Sequence, residues 1–276
     1  MIEQAKLLGP LSLNIFGVGI EVYYDSQHIV DVLRTCFMAF EGDVESVTLK
    51  YEIRSEVGGG YTLNNYSLDL TQPNDDSDLI YSVEKDIELE LQRIFKSLYF
   101  IHGAALRYQD QVCILMAPSG SGKSTLTWGL VNHGFVYMSD ELSPIDMSSM
   151  EVNSYPIALC LKSKPPEPYA LPDDTQYSPV TMHVPVNTMP SGHTLIPGKL
   201  RAVFFVSYDE QADAPALNKL TKGEAAAHLY ANGLNQLAHG NRGLVAAAKI
   251  AESVEAYNIV TTRNLEACSQ LIKSVF

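Results

Sequence analysis

Apolar residues fall at every second position in two stretches near the amino terminus, Leu11, Leu13 and Ile15 followed by Val18, Ile20 and Val22. This period predicts a strand, with Gly17 and Gly19 as bend points. Ile29, Leu33, Cys36, Phe37 and Phe40 then take helical spacing behind Asp25 and Ser26, which are N-cap residue types. Val47, Leu49, Tyr51 and Ile53 alternate again, and Gly58-Gly59-Gly60 separates them from the alternating stretch 61–70, which predicts a hairpin. A polar, acidic loop over 72–78 leads into 83–98, where Ile87, Leu91, Ile94, Phe95 and Leu98 form one apolar stripe. That stripe predicts a helix closing a mixed α/β lobe over residues 1–98.

From 101 onward the pattern reads strand (101–107), polar turn (108–111), strand (112–117), glycine-rich loop, helix (123–133) and strand (135–139). Eight of the fourteen prolines lie between Ser163 and Gly198, with no convincing periodicity, so 163–198 is expected to be a long ordered loop, lid or irregular flap. Beyond it, 200–208 reads as a buried strand, and Thr221-Lys-Gly-Glu224 is a capping box opening a helix to about 238. A helix over 244–257, a short strand over 258–261 and a last helix over 264–276 complete a second part, 99–276. No linker rich in Gly, Ser or Pro separates the two parts, which leaves open a shared sheet.

Composition narrows the function classes. With 46% hydrophobic and 18% charged residues in 276, the chain has the makeup of an ordinary globular protein. Nineteen Lys and Arg against thirty-two Asp and Glu give a net charge of −13, a field that repels nucleic acid and anionic lipid. No apolar run approaches the roughly 20 residues of a membrane helix, and the amino terminus does not read as a secretory signal. The expected compartment is therefore the cytoplasm. Cys36, Cys113, Cys160 and Cys268 are scattered singly and are read as buried thiols.

The chemistry concentrates in Ala117-Pro-Ser-Gly-Ser-Gly-Lys-Ser-Thr125, placed directly after a hydrophobic strand and before a helix. That is the setting of a phosphate-binding loop. Gly120 and Gly122 let backbone N–H groups turn inward around phosphate oxygens, Lys123 supplies a cation for the β- and γ-phosphates, and Ser124 offers a hydroxyl to Mg²⁺. Pro118, Ser119, Ser121 and Thr125 complete the nucleotide-binding set, and Ala117 stands where the G-x-x-x-x-G-K-[ST] pattern has its first glycine. One helix later, Phe135-Val-Tyr-Met-Ser ends in Asp140-Glu141, two acids at a strand end beside that loop, suited to holding Mg²⁺ or accepting a proton.

The run His102-Gly103, strand, Pro118 to Ser124, helix, His133-Gly134-Phe, then Ser139-Asp140-Glu141 resembles the bacterial HPr kinase/phosphorylase family and its smaller kinase relatives, including those linked to peptide tailoring. The resemblance covers residues 101–145. It implies an α/β fold with a P-loop kinase core of HPr kinase type behind the N-terminal lobe. It also implies ATP in the loop, Asp140 as catalytic base, Glu141 as Mg²⁺ ligand where the family has a second Asp, and His102 near the transferred phosphoryl group. The bifunctional enzymes of that family are oligomers, so a homo-oligomer is an expectation by the same resemblance.

The expected activity is transfer of the γ-phosphoryl group of ATP to a hydroxyl, on a Ser or Thr of a protein or peptide acceptor. Kinases that clamp phosphorylated substrates use Arg residues from a lid, and no arginine lies between Arg107 and Arg201. This counts against a nucleotide acceptor and leaves a neutral alcohol as an alternative, with a nucleotide-binding regulator as the other. Lys162, Lys164 and Lys199 are the candidate phosphate contacts outside the loop, Lys162 foremost because it follows the buried-looking 157–161 stretch. His183 and His193 near Asp173 and Asp174 lack metal-ligand spacing, and Ser119 and Ser121 lack a nucleophile elbow.

Overall fold

The computed structural model describes residues 6–65 and 71–276. The 66–70 end of the second predicted hairpin strand, and residues 1–5 of the amino terminus read for a signal, lie outside the described residues. The architecture is mixed α/β, built on a curled sheet.

The first apolar repeat folds as two strands. Strands β1 (Leu8–Ile15) and β2 (Val18–Tyr24) pair antiparallel across Phe16 and Gly17. The single strand expected here is corrected to a hairpin, because Phe16 (φ 55°) and Gly17 (φ 84°) both take the left-handed backbone that reverses the chain. Helix α1 (Gln27–Phe37) follows, capped by the Ser26 hydroxyl, which accepts from the Ile29 N–H at 3.5 Å. Strands β3 (Val47–Ser55) and β4 (Tyr61–Asn65) complete a four-stranded sheet in the order β1-β2-β3-β4, with β2 and β3 parallel.

Helix α2 (Asp76–Ile94) is longer and earlier than the apolar stripe implies. Asp75 caps it by accepting from Asp78 N–H at 2.9 Å, and it ends before Phe95, so Leu98 belongs to the next strand. Its buried face carries three acids, Glu84, Asp86 and Glu88, among Leu79, Ile80, Val83, Ile87 and Leu91. Those acids lie within the stretch the stripe covers; the missed first turns, 76–82, place only Leu79 and Ile80 on the buried face among Asp76, Ser77, Asp78 and Ser82, too short an apolar run to mark a helix. Tyr51 donates to Asp86 at 2.6 Å, tying α2 to β3.

The second sheet has nine strands. The predicted strand over 101–107 divides at Gly103 into β5 (Leu98–His102) and β6 (Ala104–Tyr108). The chain continues through β7 (Gln111–Met116), α3 (Lys123–Asn132), β8 (Val136–Ser139), β9 (Leu142–Asp146) and β10 (Glu151–Val152). The 163–198 stretch is more regular than its prolines imply. Strand β11 (Leu159–Leu161), β12 (Gln176–Tyr177) and β13 (Met182–Val184) form a three-stranded sheet in the order β11-β13-β12. Strands of two or three residues are too short to leave a period in the sequence.

Strand β14 (Gly198–Tyr208) is followed by β15 (Ala216–Lys219), α4 (Lys222–Ala231), α5 (Leu244–Ser253), β16 (Glu255–Thr261) and α6 (Leu265–Lys273). Helix α4 has the expected capping box but stops short of 238, and β16 takes residues expected at the end of α5. Strands β7, β14 and β16 run parallel with β14 in the middle. The apolar core of the first lobe continues without a break into Leu98, Phe100, Leu142, Tyr155, Ile157 and Ala158.

Gly103 shows why the chain must narrow between β5 and β6. A Cβ there would meet the Leu115 carbonyl oxygen at 2.8 Å and Ile114 Cγ2 at 2.9 Å. Gly103→Ala is expected to cost about 1–3 kcal/mol of stability by overpacking, read as a lower denaturation midpoint with an unchanged m-value. Burial holds the His183 imidazole down to about 4 from its ordinary 6.5, beside Thr181 Oγ1 at 3.1 Å. The unfolded chain therefore binds the proton first as pH falls. Stability is expected to be full above pH 6.5 and to decline towards pH 4 by about 3 kcal/mol from this group. Denaturation across that window checks it, with His183→Gln flattening the slope.

Candidate functional site

The three parallel strands β7, β14 and β16 end side by side, and the turns leaving them border a common cleft. In open α/β sheets this is where ligands bind, because the strand ends diverge and helix N-termini face the gap. The loop after β7 turns at Gly120 (φ 83°) and Gly122 (φ 88°), backbone conformations that a side chain would strain. Ala117 is buried and is not among the residues with positive φ, so a methyl group at this point of the pattern leaves the turn intact. Gly122 caps α3 without any side-chain hydrogen bond, so the first N–H groups of the helix stay without an intrahelical acceptor beside the cleft.

Lys123 rises from the first turn of α3 and is almost wholly buried, at 8% exposure. Its ammonium donates to Asp140 Oδ1 at 2.8 Å and to the Asp140 backbone oxygen. The Ser124 hydroxyl donates to Asp140 Oδ2 at 2.7 Å, and Thr127 Oγ1 donates to the Lys123 carbonyl at 2.9 Å. Asp140, at 0% exposure, therefore has both carboxylate oxygens occupied by the loop and helix it faces. Strand β8 delivers it there through its pairing with β6, which also pairs with β7.

Glu141 behaves differently. Its side chain keeps 24% exposure and lines the cleft, with Oε2 at 3.4 Å from His102 Nδ1 and 3.9 Å from Lys85 Nζ, and Oε1 at 3.9 Å from Lys123 Nζ. Gly103 N–H donates to the Glu141 carbonyl at 3.2 Å, so the His102-Gly103 pair is packed against this residue. Burial pulls the His102 imidazole below its ordinary range, Glu141 works against that, and Lys123 and Lys85 add to it. Lys162 Nζ donates to Ser119 Oγ at 2.8 Å and closes the loop from above.

Three cavities follow one another along this line. The middle one, about 310 Å³, is bounded by the 117–125 loop, Lys85, His102, Glu141 and Lys162. A larger one, about 450 Å³, shares Gly120, Gly122, Thr125 and Ser163 with it and extends past Leu126 to Tyr208, Thr261, Arg263 and Leu265. A third, about 290 Å³, lies between α2 and the 180–183 segment and shares Lys85, Glu141, Cys160 and Lys162 with the middle one. Burial pushes the Cys160 thiol up to about 12, which makes it a poor nucleophile.

The structure brings His102, Pro118 to Gly120, Gly122 to Thr125, Glu141 and Lys162 to the middle cavity, with Asp140 bonded to Lys123 and Ser124 in its wall, whereas Ser121 lines none of the three cavities. Lys164 lines the larger cavity, whereas Lys199 donates to the Ser149 carbonyl and His193 lies 3.2 Å from the Val186 carbonyl, outside all three. Sequence reasoning missed Lys85, Tyr208 and Arg263. The last two sit at the ends of parallel strands, a position that a strand assignment alone would have flagged. Lys85 carries no such signal, because it lies on a helix of the other lobe.

No family model and no curated protein matches the chain. Among solved structures, one similar chain is the Hpr(Ser) kinase/phosphatase from Coxiella burnetii, at 9% identity and a TM-score of 0.33, covering 64% of this chain and 92% of that one. This is a distant fold-level resemblance.

The Lys123–Asp140 pair is the costly element of the site, since removing one partner strands the other charge in the interior. Asp140→Ala is expected to lower stability by about 3 kcal/mol, and Glu141→Ala, at a part-exposed position, by well under that. Chemical denaturation of both variants side by side checks the contrast.

Proposed function

We propose that the protein is a kinase that passes the γ-phosphoryl group of ATP to a hydroxyl, with a protein or peptide Ser or Thr as the acceptor. The observation that carries the reading is the joint engagement of Lys123 and Ser124 by one buried carboxylate, Asp140, at the end of a strand beside a glycine turn and a helix N-terminus. A scaffold that only bound an anion would have no need to hold a hydroxyl, an ammonium and a carboxylate in mutual contact.

A divalent cation fits here on donor chemistry: the Ser124 hydroxyl lines the cavity as a hard oxygen donor, and the buried Asp140 carboxylate holds that hydroxyl from behind. Among the described residues no group of three or more His, Cys, Asp and Glu is arranged to hold a metal. Magnesium, which keeps waters and takes phosphate oxygens, suits such a site. When bound, it would supply positive charge to offset that developing on the transferred group.

The chain's own residues then divide the work. The amides of the 119–124 turn and Lys123 bind the phosphates, and the larger cavity along the strand ends takes the nucleoside. Asp140 holds Lys123 and Ser124 in register. Glu141 lines the cleft, and we assign it the proton-accepting role, with His102 orienting its carboxylate. This moves to Glu141 the proton-accepting role that the family resemblance implies for Asp140, and leaves Asp140 behind the Ser124 hydroxyl. What supports the move is accessibility: a base must reach the acceptor hydroxyl, and Asp140 has no exposed surface and no unoccupied oxygen. The third cavity, which opens from Glu141 between the two lobes, is where the acceptor enters. Its small volume suits a single side chain on an extended segment better than the surface of a folded domain. A neutral small alcohol fits the same opening and remains the second reading.

Turnover of γ-labelled ATP, to water or to protein and peptide fractions, tests this. Lys123→Ala is expected to lose roughly a hundredfold or more of turnover. Glu141→Gln is expected to keep Mg-ATP affinity and lose about a hundredfold in rate, whereas Asp140→Asn should raise the magnesium requirement. The reverse pattern, with the rate loss in Asp140→Asn and the magnesium effect in Glu141→Gln, would restore the assignment implied by the resemblance. Absence of turnover with tight ATP binding would favour a regulator.

A further inference from the structure

Among the described residues of the N-terminal lobe, Lys85 is the cation that lines the cleft. It sits on α2, lines both the middle cavity and the cavity between the lobes, and is held by Glu88 at 2.7 Å, Glu84 at 3.7 Å and Glu141 at 3.9 Å. Its side chain retains 35% exposure. The bond to Glu88, itself a buried residue of the next helical turn, fixes where the ammonium points.

The direction of the cleft decides what Lys85 would meet. The large cavity along the ends of β14 and β16 has no carboxylate among its lining residues, while the opposite end holds Glu141 and His102. A nucleotide lying on the 117–125 loop therefore has its nucleoside towards Tyr208 and Arg263 and its terminal phosphate towards Glu141. A terminal phosphate brought up to a carboxylate meets like-charge repulsion, and an ammonium beside that carboxylate offsets it. Lys123 and Lys162 serve the loop itself, the first rising from its end beside Asp140 and the second lying on Ser119. Lys85 stands beyond the loop, in the wall that the middle cavity shares with the cavity beside α2, 3.9 Å from Glu141.

We infer that Lys85 is the residue through which the cleft distinguishes a nucleoside triphosphate from a diphosphate, so that the N-terminal lobe forms part of the γ-phosphate end of the site. The inference rests on the nucleotide reading above. It adds a residue that the motif does not contain and a role for the lobe that the motif does not require. A diphosphate, which stops at the loop, has no group at Lys85 and gains nothing from it.

Calorimetry with magnesium and either ADP or the non-hydrolysable triphosphate analogue AMPPNP separates the possibilities. In Lys85→Met, which keeps the stem, AMPPNP binding is expected to weaken about tenfold while ADP binding stays unchanged, and Lys85→Arg is expected to restore most of the loss. The unchanged ADP value also reports that the variant's cleft is folded. Equal weakening of both nucleotides, or no change in either, overturns the role of Lys85 and leaves the kinase reading standing. A wild-type protein that binds neither nucleotide overturns the kinase reading and the Lys85 inference together.

Discussion

A lysine and an aspartate buried side by side are tolerated only if each satisfies the other and the remaining polar atoms find partners, because the desolvation of two charges otherwise outweighs their attraction. Lys123 and Asp140 meet that condition through Ser124, Thr127 and the Asp140 backbone oxygen. The surrounding strands and helices keep them together. Strand β6 must pair with both β7 and β8 so that the strand bearing Asp140 ends beside the loop that follows β7. Gly129 on α3 must lack a side chain for α6 to pack closely, since a Cβ would fall 2.9 Å from Leu265 Cβ.

The same constraint explains how two adjacent acids come to differ. Asp140 points inward from the end of β8 and is consumed by the ion pair. Glu141, one residue on, points to the opposite side and stays in the cleft among His102, Lys85 and Lys123. The bend at 140–141 between β8 and β9, closed by the Ser139 hydroxyl bonding to Leu142, gives the neighbouring carboxylates a buried and a cleft-facing position. The accessible one is then available for chemistry, and the buried one keeps the loop and the strand in register.

The two lobes are joined more closely than two tethered domains would be. The apolar core of the first runs into Phe100, Leu142 and Tyr155, and the buried acids of α2 face Lys85 at the cleft. Burial holds the Glu84 carboxyl well above its ordinary range, with Glu88 adding to the shift. A helix that carries acids on its buried face at this junction is built around the site, and its polar content follows from that position.

The glycine turn, the lysine, the hydroxyl and the two acids were legible in the sequence because they lie within one strand-loop-helix-strand unit, where spacing along the chain and spacing in space nearly coincide. The caps of α1 and α4 were legible for the same reason. The hairpin at Phe16 and the break at Gly103 were read as continuous strands, since a period of two does not report whether the chain reverses between repeats. The 163–198 segment gave no period because its strands are too short to have one.

What the sequence determined by itself is thus the local chemistry: which groups could bind a phosphate, and on which elements they ride. Only the tertiary structure decided which carboxylate is buried and which is reachable, that Tyr208 and Arg263 border the cleft, and that Lys85 enters it from another lobe. Those are distances between residues far apart in the chain, set by sheet order and core packing, and no local pattern encodes them.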